Sequence, residues 1–411
     1  MRVAVIAEYY PRPAHPGLGI WAHRQALAAR EQGCDVRVLA LDRPLPSLHA
    51  LRSLAPGGDG ASLAPLREWA RELRRQPRRV SLDGIDVHYV RFLSPPRPLS
   101  YGSWGRWASP PLGRALDELE RTWQPDLVHA HYAVPAGDAA RRWIARHRPG
   151  LPLVVSVHGG DLSYAAPRSR RGREVVSAVL TGADAVIVNS TLTRAGVVGL
   201  VGERERLEVI PPGADPVAPA PRHADPTLVT VAHLEQHKSQ GDVIRALAAL
   251  SSRHPRLRYL LVGRGPDRAA LERLASSLGV AERVELKGGL PHEQALAELA
   301  RCHLHVMPSR HDAFGVAHVE AMAAGLPSVG GAGTGAEDIA RAGEGLVLVP
   351  PGDVGELTRT LDGLLSDQAR LEALGAAARQ TVERCFSWRL CGERTASLYQ
   401  SLVPPEGAAA A

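Results

Sequence analysis

Residues 211–226 read Pro211-Pro-Gly-Ala-Asp-Pro-Val-Ala-Pro-Ala-Pro-Arg-His-Ala-Asp-Pro226. Prolines fall at 211, 212, 216, 219, 221 and 226. Each fixes φ and removes a backbone N–H, so the stretch supports neither a helix nor a central strand. It reads as an interdomain linker. On both sides short apolar runs alternate with segments of helical period, the pattern of parallel sheets with crossover helices. Upstream, Val3–Ala7 is a fully buried strand, Ile20–Gln32 a helix closed by Gly33, and Val36–Leu41 the next strand. Residues 43–80 look irregular, with a short helix near Leu63–Arg75. Strands then follow at Val87–Phe92, Leu127–Ala130, Leu153–Val157, Ala185–Val188 and Leu207–Ile210, separated by helices at Leu112–Trp123, Ala136–Arg148 and Glu174–Leu180.

Downstream the alternation restarts. Strands are expected at Leu228–Val231, Arg258–Val262, Val284–Lys287, Leu304–Met307, Ser328–Gly330 and Leu346–Val349. Helices are expected at Gly241–Arg253, Ala269–Leu278, Glu293–Arg301, Val316–Ala324 and Val354–Ser366. A final helix, Trp388–Leu402, has no strand to follow it. The fold class is therefore α/β with two Rossmann-like domains: residues 1–210, the linker 211–226, residues 227–387, the helix 388–402 and an expected disordered tail 403–411.

The 411 residues are 45% hydrophobic and 22% charged, with a net charge of +6. That balance suits an enzyme with sizeable cores. The basic residues are mostly Arg, clustered at Arg67–Arg79 and Arg168–Arg173. Trp69 is the one aromatic inside either cluster, so neither interleaves aromatics with Arg as a single-strand binder would, and phosphorylated substrates or anionic lipid fit better than nucleic acid. Cys34, Cys302, Cys385 and Cys391 form no C-x-x-C pair, which fits a reducing cytoplasm. No run approaches the ~20 apolar residues of a membrane span.

Three loops carry candidate chemistry. Gly17-Leu18-Gly19 precedes the first helix, where glycines let backbone approach a phosphate. A dinucleotide reading would use Asp42 for a ribose, but a long loop precedes Gly17 and the third glycine is missing; a structural turn stays open. His158-Gly159-Gly160-Asp161 follows a strand, where a His and an Asp can orient substrate hydroxyls. The third is Met307-Pro-Ser-Arg-His-Asp-Ala-Phe-Gly-Val-Ala-His-Val-Glu-Ala-Met-Ala-Ala-Gly-Leu-Pro327.

This last segment resembles the donor-site signature of the retaining glycosyltransferases of family 4, which have the GT-B fold. Its two acids are Asp312 and Glu320. Val231-Ala-His-Leu-Glu-Gln-His-Lys238 resembles the loop that supplies an Arg and a Lys to the diphosphate, with Lys238 at the Lys and His233 at the Arg. Leu261-Val-Gly-Arg-Gly-Pro266 resembles the Gly-rich turn that contains Gly263. Val284-Glu-Leu-Lys-Gly-Gly-Leu-Pro291, with Leu286, is similar to the segment whose backbone reads the base. Val209–Asp215, Asp126–His131, Val157–Asp161 and Phe386-Ser-Trp388 extend the likeness over nearly the whole chain.

The resemblance implies two domains facing across a cleft, the terminal helix returning to the first. The expected donor set is Gly19, His233, Lys238, Gly263, Leu286, Phe314, Gly315, Val316 and Glu320. Lys238, Asp312 and His158 are the expected catalytic residues, and Gly17, His158 and Asp161 the acceptor side. It implies retention without a metal or cofactor, a UDP or GDP sugar as donor substrate, and a glycan or lipid-linked acceptor, in cell-envelope, polysaccharide or glycolipid synthesis. Asp312 is one carbon shorter than the usual Glu, a loss of ~1.5 Å in reach. His233 lacks the permanent bidentate charge of Arg, which His⁺, Arg264 or Arg310 would have to replace. Segment 66–79 places Leu66, Trp69, Ala70 and Leu73 on one face of a basic helix. That suits either peripheral binding at an anionic inner membrane face or packing on its own domain. A nucleotide-sugar epimerase of the same fold and a non-catalytic sugar-binding protein are the alternative readings.

Overall fold

The computed structural model describes residues 1–13, 15–44, 64–95 and 100–403. Residues 404–411 of the expected tail 403–411 and residues 45–63 of the irregular stretch 43–80 lie outside the described residues. The chain forms two compact units. One comprises Met1–Val188, Thr193–Ile210 and Gly392–Ala411; the other comprises Asn189–Leu192 and Pro211–Cys391.

The first unit is built on eight strands: β1 (Arg2–Ala7), β2 (Asp35–Asp42), β3 (Arg79–Leu82), β4 (Ile85–Arg91), β5 (Leu127–His131), β6 (Leu153–Val157), β7 (Ala185–Val188) and β8 (Leu207–Val209). Their order is β3-β4-β2-β1-β5-β6-β7-β8, parallel except for the β3–β4 hairpin. β5, β6 and β7 are buried along their whole length, as strands covered on both faces must be. Helices α1 (Ile20–Glu31), α2 (Ala64–Arg75), α3 (Trp104–Thr122), α4 (Asp138–His147), α5 (Arg170–Gly182) and α6 (Thr191–Val201) run between them. The strand order reverses between β1 and β5, so the loops after β1, β5 and β6 converge at this switch point.

The second unit holds six parallel strands: β9 (Thr227–Val231), β10 (Arg258–Val262), β11 (Val284–Gly288), β12 (Leu304–Met307), β13 (Ser328–Gly331) and β14 (Leu346–Val349). Their order is β11-β10-β9-β12-β13-β14, with the reversal between β9 and β12. Its helices are α7 (Gln240–Ala249), α8 (Arg268–Ser277), α9 (His292–Arg301), α10 (Val316–Ala323), α11 (Ala336–Ala342), α12 (Val354–Leu365) and α13 (Gln368–Cys385). Aliphatic clusters fill both faces of this sheet, one around Leu299, Val319 and Ile339, the other around Leu228, Leu247 and Leu361.

Helix α14 (Trp388–Leu402) begins with the second unit and from Gly392 belongs to the first. There Gln25 donates to Thr395 Oγ1 at 3.1 Å, and the Tyr399 hydroxyl lies 2.6 Å from His129 Nδ1. A Cβ on Gly392 would sit 2.4 Å from the Ala28 carbonyl oxygen, so the helix approaches α1 at backbone range.

Several elements differ from expectation. β3 pairs with β4 across Asp83-Gly84, whose φ values of 47° and 77° make a tight turn of the primed kind. Helix α3 starts at Trp104 and runs through Pro110 and Pro111, although each proline removes an intrahelical hydrogen bond. Buried Trp104, Ala108 and Leu112 hold both halves against the sheet, so packing outweighs that loss. Helices α6, α11 and the long α13 fall outside the expected elements.

Candidate functional site

In the second unit the loops after β9, β10 and β12 gather at the switch point. The β9 loop ends in the turn Gln236–Lys238 and enters α7 through Ser239, a left-handed residue at φ 58°. Lys238 Nζ donates to Asp312 Oδ2 at 2.7 Å, and their side chains are only 17% and 16% exposed. The β9 and β12 loops are tied by Arg310 N–H to the His237 carbonyl at 2.8 Å. Burial and the neighbouring Lys238 hold His237 below its usual pKa.

Gly315, at φ 95°, caps α10 without any side-chain cap. The amide of His318 reaches back to the Gly315 carbonyl at 2.9 Å, which leaves the earlier amides of that turn as unpaired helix-start donors. Phe314 is buried against Phe386 at 5.7 Å, anchoring the loop from below. Val316 opens the helix half-buried. Glu320, one turn on, accepts from His292 Nε2 at 2.7 Å. His292 opens α9, and no spacing in the sequence signals this pair across 28 positions.

Gly263 lies at φ 156°, and a Cβ there would fall 1.8 Å from the Ala232 carbonyl oxygen. Only glycine lets the β9 and β10 loops cross so closely. Leu286 lies in β11, and its carbonyl accepts from Arg268 at 3.2 Å. His233 is exposed. The two cations expected to compensate for it are also exposed, Arg264 alongside Gly289 and Arg310 beside Asp242 at 3.3 Å.

Beneath α10 lies a polar cluster that sequence reading missed. The Ser328 hydroxyl bridges His318 Nδ1 at 2.7 Å and His305 Nδ1 at 2.8 Å. Both histidines are buried and held neutral by desolvation, His318 at about 3. Each lies within an apolar period, His305 in β12 and His318 in α10.

In the first unit Gly19 caps α1 at φ 66°, again without a side-chain cap. A Cβ there would sit 2.1 Å from the Tyr9 carbonyl oxygen. Gly17 is exposed. His158 follows β6 and lies 3.0 Å, through Nε2, from His131 Nδ1. Desolvation lowers His158 to about 4 and His131 well below its ordinary value. Asp161, expected to meet an acceptor, is instead 0% exposed, its carboxylate accepting from the amides of Ala133 at 3.1 Å and Val134 at 3.3 Å. Burial pushes it up to about 7 against the pull of those amides. It orders the loop after β5 rather than facing solvent. Asp42 is bound by Arg12 at 2.7 Å and Arg91 at 3.6 Å, which accounts for it structurally and removes the dinucleotide reading. Among the described residues no three His, Cys, Asp or Glu side chains cluster as metal ligands.

Comparison with known proteins follows these two units. The family described as Glycosyl transferases group 1 matches residues 215–381, and the Glycosyl transferase 4-like domain matches residues 17–213. A GDP-mannose-dependent alpha-(1-6)-phosphatidylinositol monomannoside mannosyltransferase of Mycolicibacterium smegmatis is 32% identical over 276 residues, covering 62% of this chain and 72% of that protein. D-inositol 3-phosphate glycosyltransferase 1 of Catenulispora acidiphila is 30% identical over 359 residues, covering 78% and 82%. In fold the chain is similar to sucrose-phosphate synthase from Thermosynechococcus elongatus, with a TM-score of 0.74 at 21% identity over 98% and 99% of the two chains. It is also similar to Anabaena HepE in complex with UDP and glucose, with a TM-score of 0.70 at 21% identity over 98% and 100%. Both neighbours share the GT-B architecture of two Rossmann-like units.

Proposed function

The chain belongs to the group 1 glycosyl transferases, and from that premise we propose that it moves a sugar from a nucleoside diphosphate, held by the second unit, to an acceptor hydroxyl held by the first. The observation that carries this reading is the Lys238–Asp312 pair at 2.7 Å beside the uncapped start of α10, with Glu320 one turn further on. A cation and oriented helix amides beside one another suit a diphosphate. Two acids nearby suit hydroxyls, Asp312 those of the sugar and Glu320 those of the ribose. A UDP or GDP base fits the names of the relatives, one GDP-mannose-dependent and one neighbour bound to UDP and glucose.

In the proposed reaction the bond from the anomeric carbon to the diphosphate oxygen breaks. A bond to the acceptor oxygen forms on the same face, and the acceptor proton passes to the leaving phosphate oxygen. Configuration is retained without a covalent enzyme intermediate. Lys238, held in place by Asp312, offsets the charge that grows on the diphosphate. His158, kept neutral, orients a hydroxyl instead of carrying a full charge.

A thermal-shift panel of UDP, GDP and ADP with their sugars tests the donor. A nucleotide present at 100 times its Kd adds about 2.7 kcal/mol of stability. No shift with any nucleotide would refute the reading.

We also propose a peripheral membrane role for α2. Arg67, Arg71, Arg74 and Arg75 are exposed on it, while Trp69 and Leu73 are half-buried. No helix among the described residues is long and apolar enough to cross a membrane. Co-sedimentation with phosphatidylglycerol vesicles should fall steeply between low and ~0.5 M salt, because surface charge is screened; salt-independent or absent binding rejects it.

A further inference from the structure

The buried cluster of His305, Ser328 and His318 has a direction, because each of its protons can be placed. His305 Nε2 is sealed from solvent with no hydrogen-bond partner. A bare ring nitrogen there is less costly than an orphaned N–H, since unpaired buried donors are the rarer defect. The His305 proton therefore sits on Nδ1 and is donated to Ser328 Oγ, 2.8 Å away. The Ser328 hydroxyl has one proton and, among the described residues, one remaining partner, His318 Nδ1 at 2.7 Å. It donates there. Desolvation, and after it the charge of Lys238, keeps the His318 ring neutral. A neutral imidazole that accepts at Nδ1 carries its own proton on Nε2.

That nitrogen lies against the start of α10. His318 is 1% exposed, and its Nε2 has no partner among the described residues, yet unlike His305 Nε2 it is not fully sealed. It sits between two glycines. A Cβ on Gly315, which caps α10 at φ 95°, would fall 2.7 Å from His318 Cδ2 and 3.5 Å from Nε2. A Cβ on Gly330 would fall 3.4 Å from Nε2. The protonated edge of the ring is thus left uncovered beside the unpaired amides ahead of His318. A nearly sealed N–H without an acceptor is destabilising until a ligand completes it. An apolar side chain at 318 would fill the same space without that cost, so packing alone gives no reason for the imidazole.

We propose that His318 is a donor-binding residue: its Nε2–H donates to an oxygen of the sugar-bearing phosphate, alongside the amides of α10, and Ser328 and His305 hold it in that tautomer. This rests on the reading that the second unit takes the nucleotide sugar. The sugar-bearing phosphate is the one concerned because Asp312, assigned to the sugar, lies only three positions before Gly315. A hydrogen bond to an ionised acceptor is stronger than one between neutral groups, and charge growing on the leaving oxygen strengthens it further. Lys238 supplies the cation, and His318 adds a fixed direction without a second charge.

Calorimetric titration of the full chain with UDP, GDP, UMP and GMP tests this, together with two variants. An Asn amide reaches the Nδ1 position of a histidine, so His318→Asn keeps a partner for Ser328 and loses the donor at the helix start. A Gln amide reaches the Nε2 position, so His318→Gln keeps that donor. The diphosphate that binds the wild type should bind His318→Asn about tenfold more weakly and His318→Gln within about threefold of wild type. The matching monophosphate, which lacks the sugar-bearing phosphate, should bind all three proteins within about twofold of one another. A purely structural role would spare His318→Asn instead. Thermal unfolding reports that both variants fold. Long-range 1H–15N spectra of the wild type, with His318 assigned by its loss in His318→Asn, should show its proton on Nε2 and that resonance moving when the diphosphate is added. Unchanged diphosphate affinity in His318→Asn, an equal loss for mono- and diphosphate, a loss in His318→Gln as large as in His318→Asn, or a proton on His318 Nδ1 overturns the proposal. A wild type that binds neither diphosphate refutes the donor reading itself, and this proposal with it.

Discussion

Consider replacing Lys238 by Met, which keeps the length of the side chain and removes its charge. The ion pair with Asp312 spans 2.7 Å and both side chains are at most 17% exposed, so the lost partner is not replaced fully by water. Breaking a fully buried pair costs about 3–5 kcal/mol, and partial exposure brings this down to about 2 kcal/mol. For a unit of this size that lowers Tm by roughly 4–8 °C. The catalytic loss is separate: removing one preorganised charge-stabilising group costs about 2.7–4 kcal/mol, or 10²–10³ in turnover. The double variant Lys238→Met/Asp312→Asn resolves the two effects, because an amide at 312 leaves no orphaned charge. Differential scanning fluorimetry should show its Tm restored to within about 2 °C of wild type. Single-turnover transfer from the cognate nucleotide sugar should remain 10²–10³ below wild type. Turnover recovered along with stability would mean that Lys238 only supports Asp312, and the assignment of charge to the leaving diphosphate would fall.

Other outcomes follow from the same geometry. Gly263→Ala places a Cβ 1.8 Å from a carbonyl oxygen and should cost about 3 kcal/mol or more in urea unfolding, whereas Gly288→Ala, at φ 79° with open space, should cost about 1–2 kcal/mol; equal costs would contradict the close loop crossing. His129, His131 and His158 all have folded pKa values below 6.5, so the unfolded chain binds protons first as pH falls. Stability of the first unit should then drop below pH 6.5 by up to ~1.4 kcal/mol per pH unit for each imidazole, a loss that for His158 ends near pH 4. Asp161, raised to about 7, works in the opposite direction between pH 4 and 7, and Asp161→Asn should steepen the acid loss. Urea curves at pH 7, 6 and 5 measure this, and a flat profile would contradict the buried neutral histidines. Glu320→Gln should raise the donor KM about tenfold or more, since a buried charge-assisted hydrogen bond is worth ~1.5–3 kcal/mol; an unchanged KM would remove Glu320 from the ribose.

Most strands were legible because those buried on both faces read as unbroken apolar runs, and the prolines of 211–226 separated the two sets. The hairpin was missed although Asp83-Gly84 is a strong turn signal between alternating residues, because the surrounding Arg-rich composition was read as irregular. Prolines misled in the other direction at α3, where tertiary burial of Trp104 and Ala108 kept a helix that local propensity would end. Asp312, Glu320 and Lys238 stand out in the sequence as candidates by motif, but the side chains that Glu320 and His318 meet do not. His292 meets Glu320, and His305 meets His318 through Ser328, only because separate strands and helices bring them together. Asp161 was expected to face an acceptor but accepts from the amides of Ala133 and Val134, since one dimension does not tell whether a carboxylate turns out or caps backbone amides.

Helix α14 has a consequence for how the chain is made. The first unit needs Tyr399 against His129 and Thr395 against Gln25, yet the whole second unit is translated between them. At ~5–20 residues per second on the ribosome, the sheet of the first unit waits on the order of ten to forty seconds for its closing helix. During that interval the α1 surface beside Ala28 stays uncovered, although all eight strands of the first unit have already been made. The first unit is thus expected to gain its full protease resistance on nascent chains only once the segment from Gly392 to Leu402 has emerged.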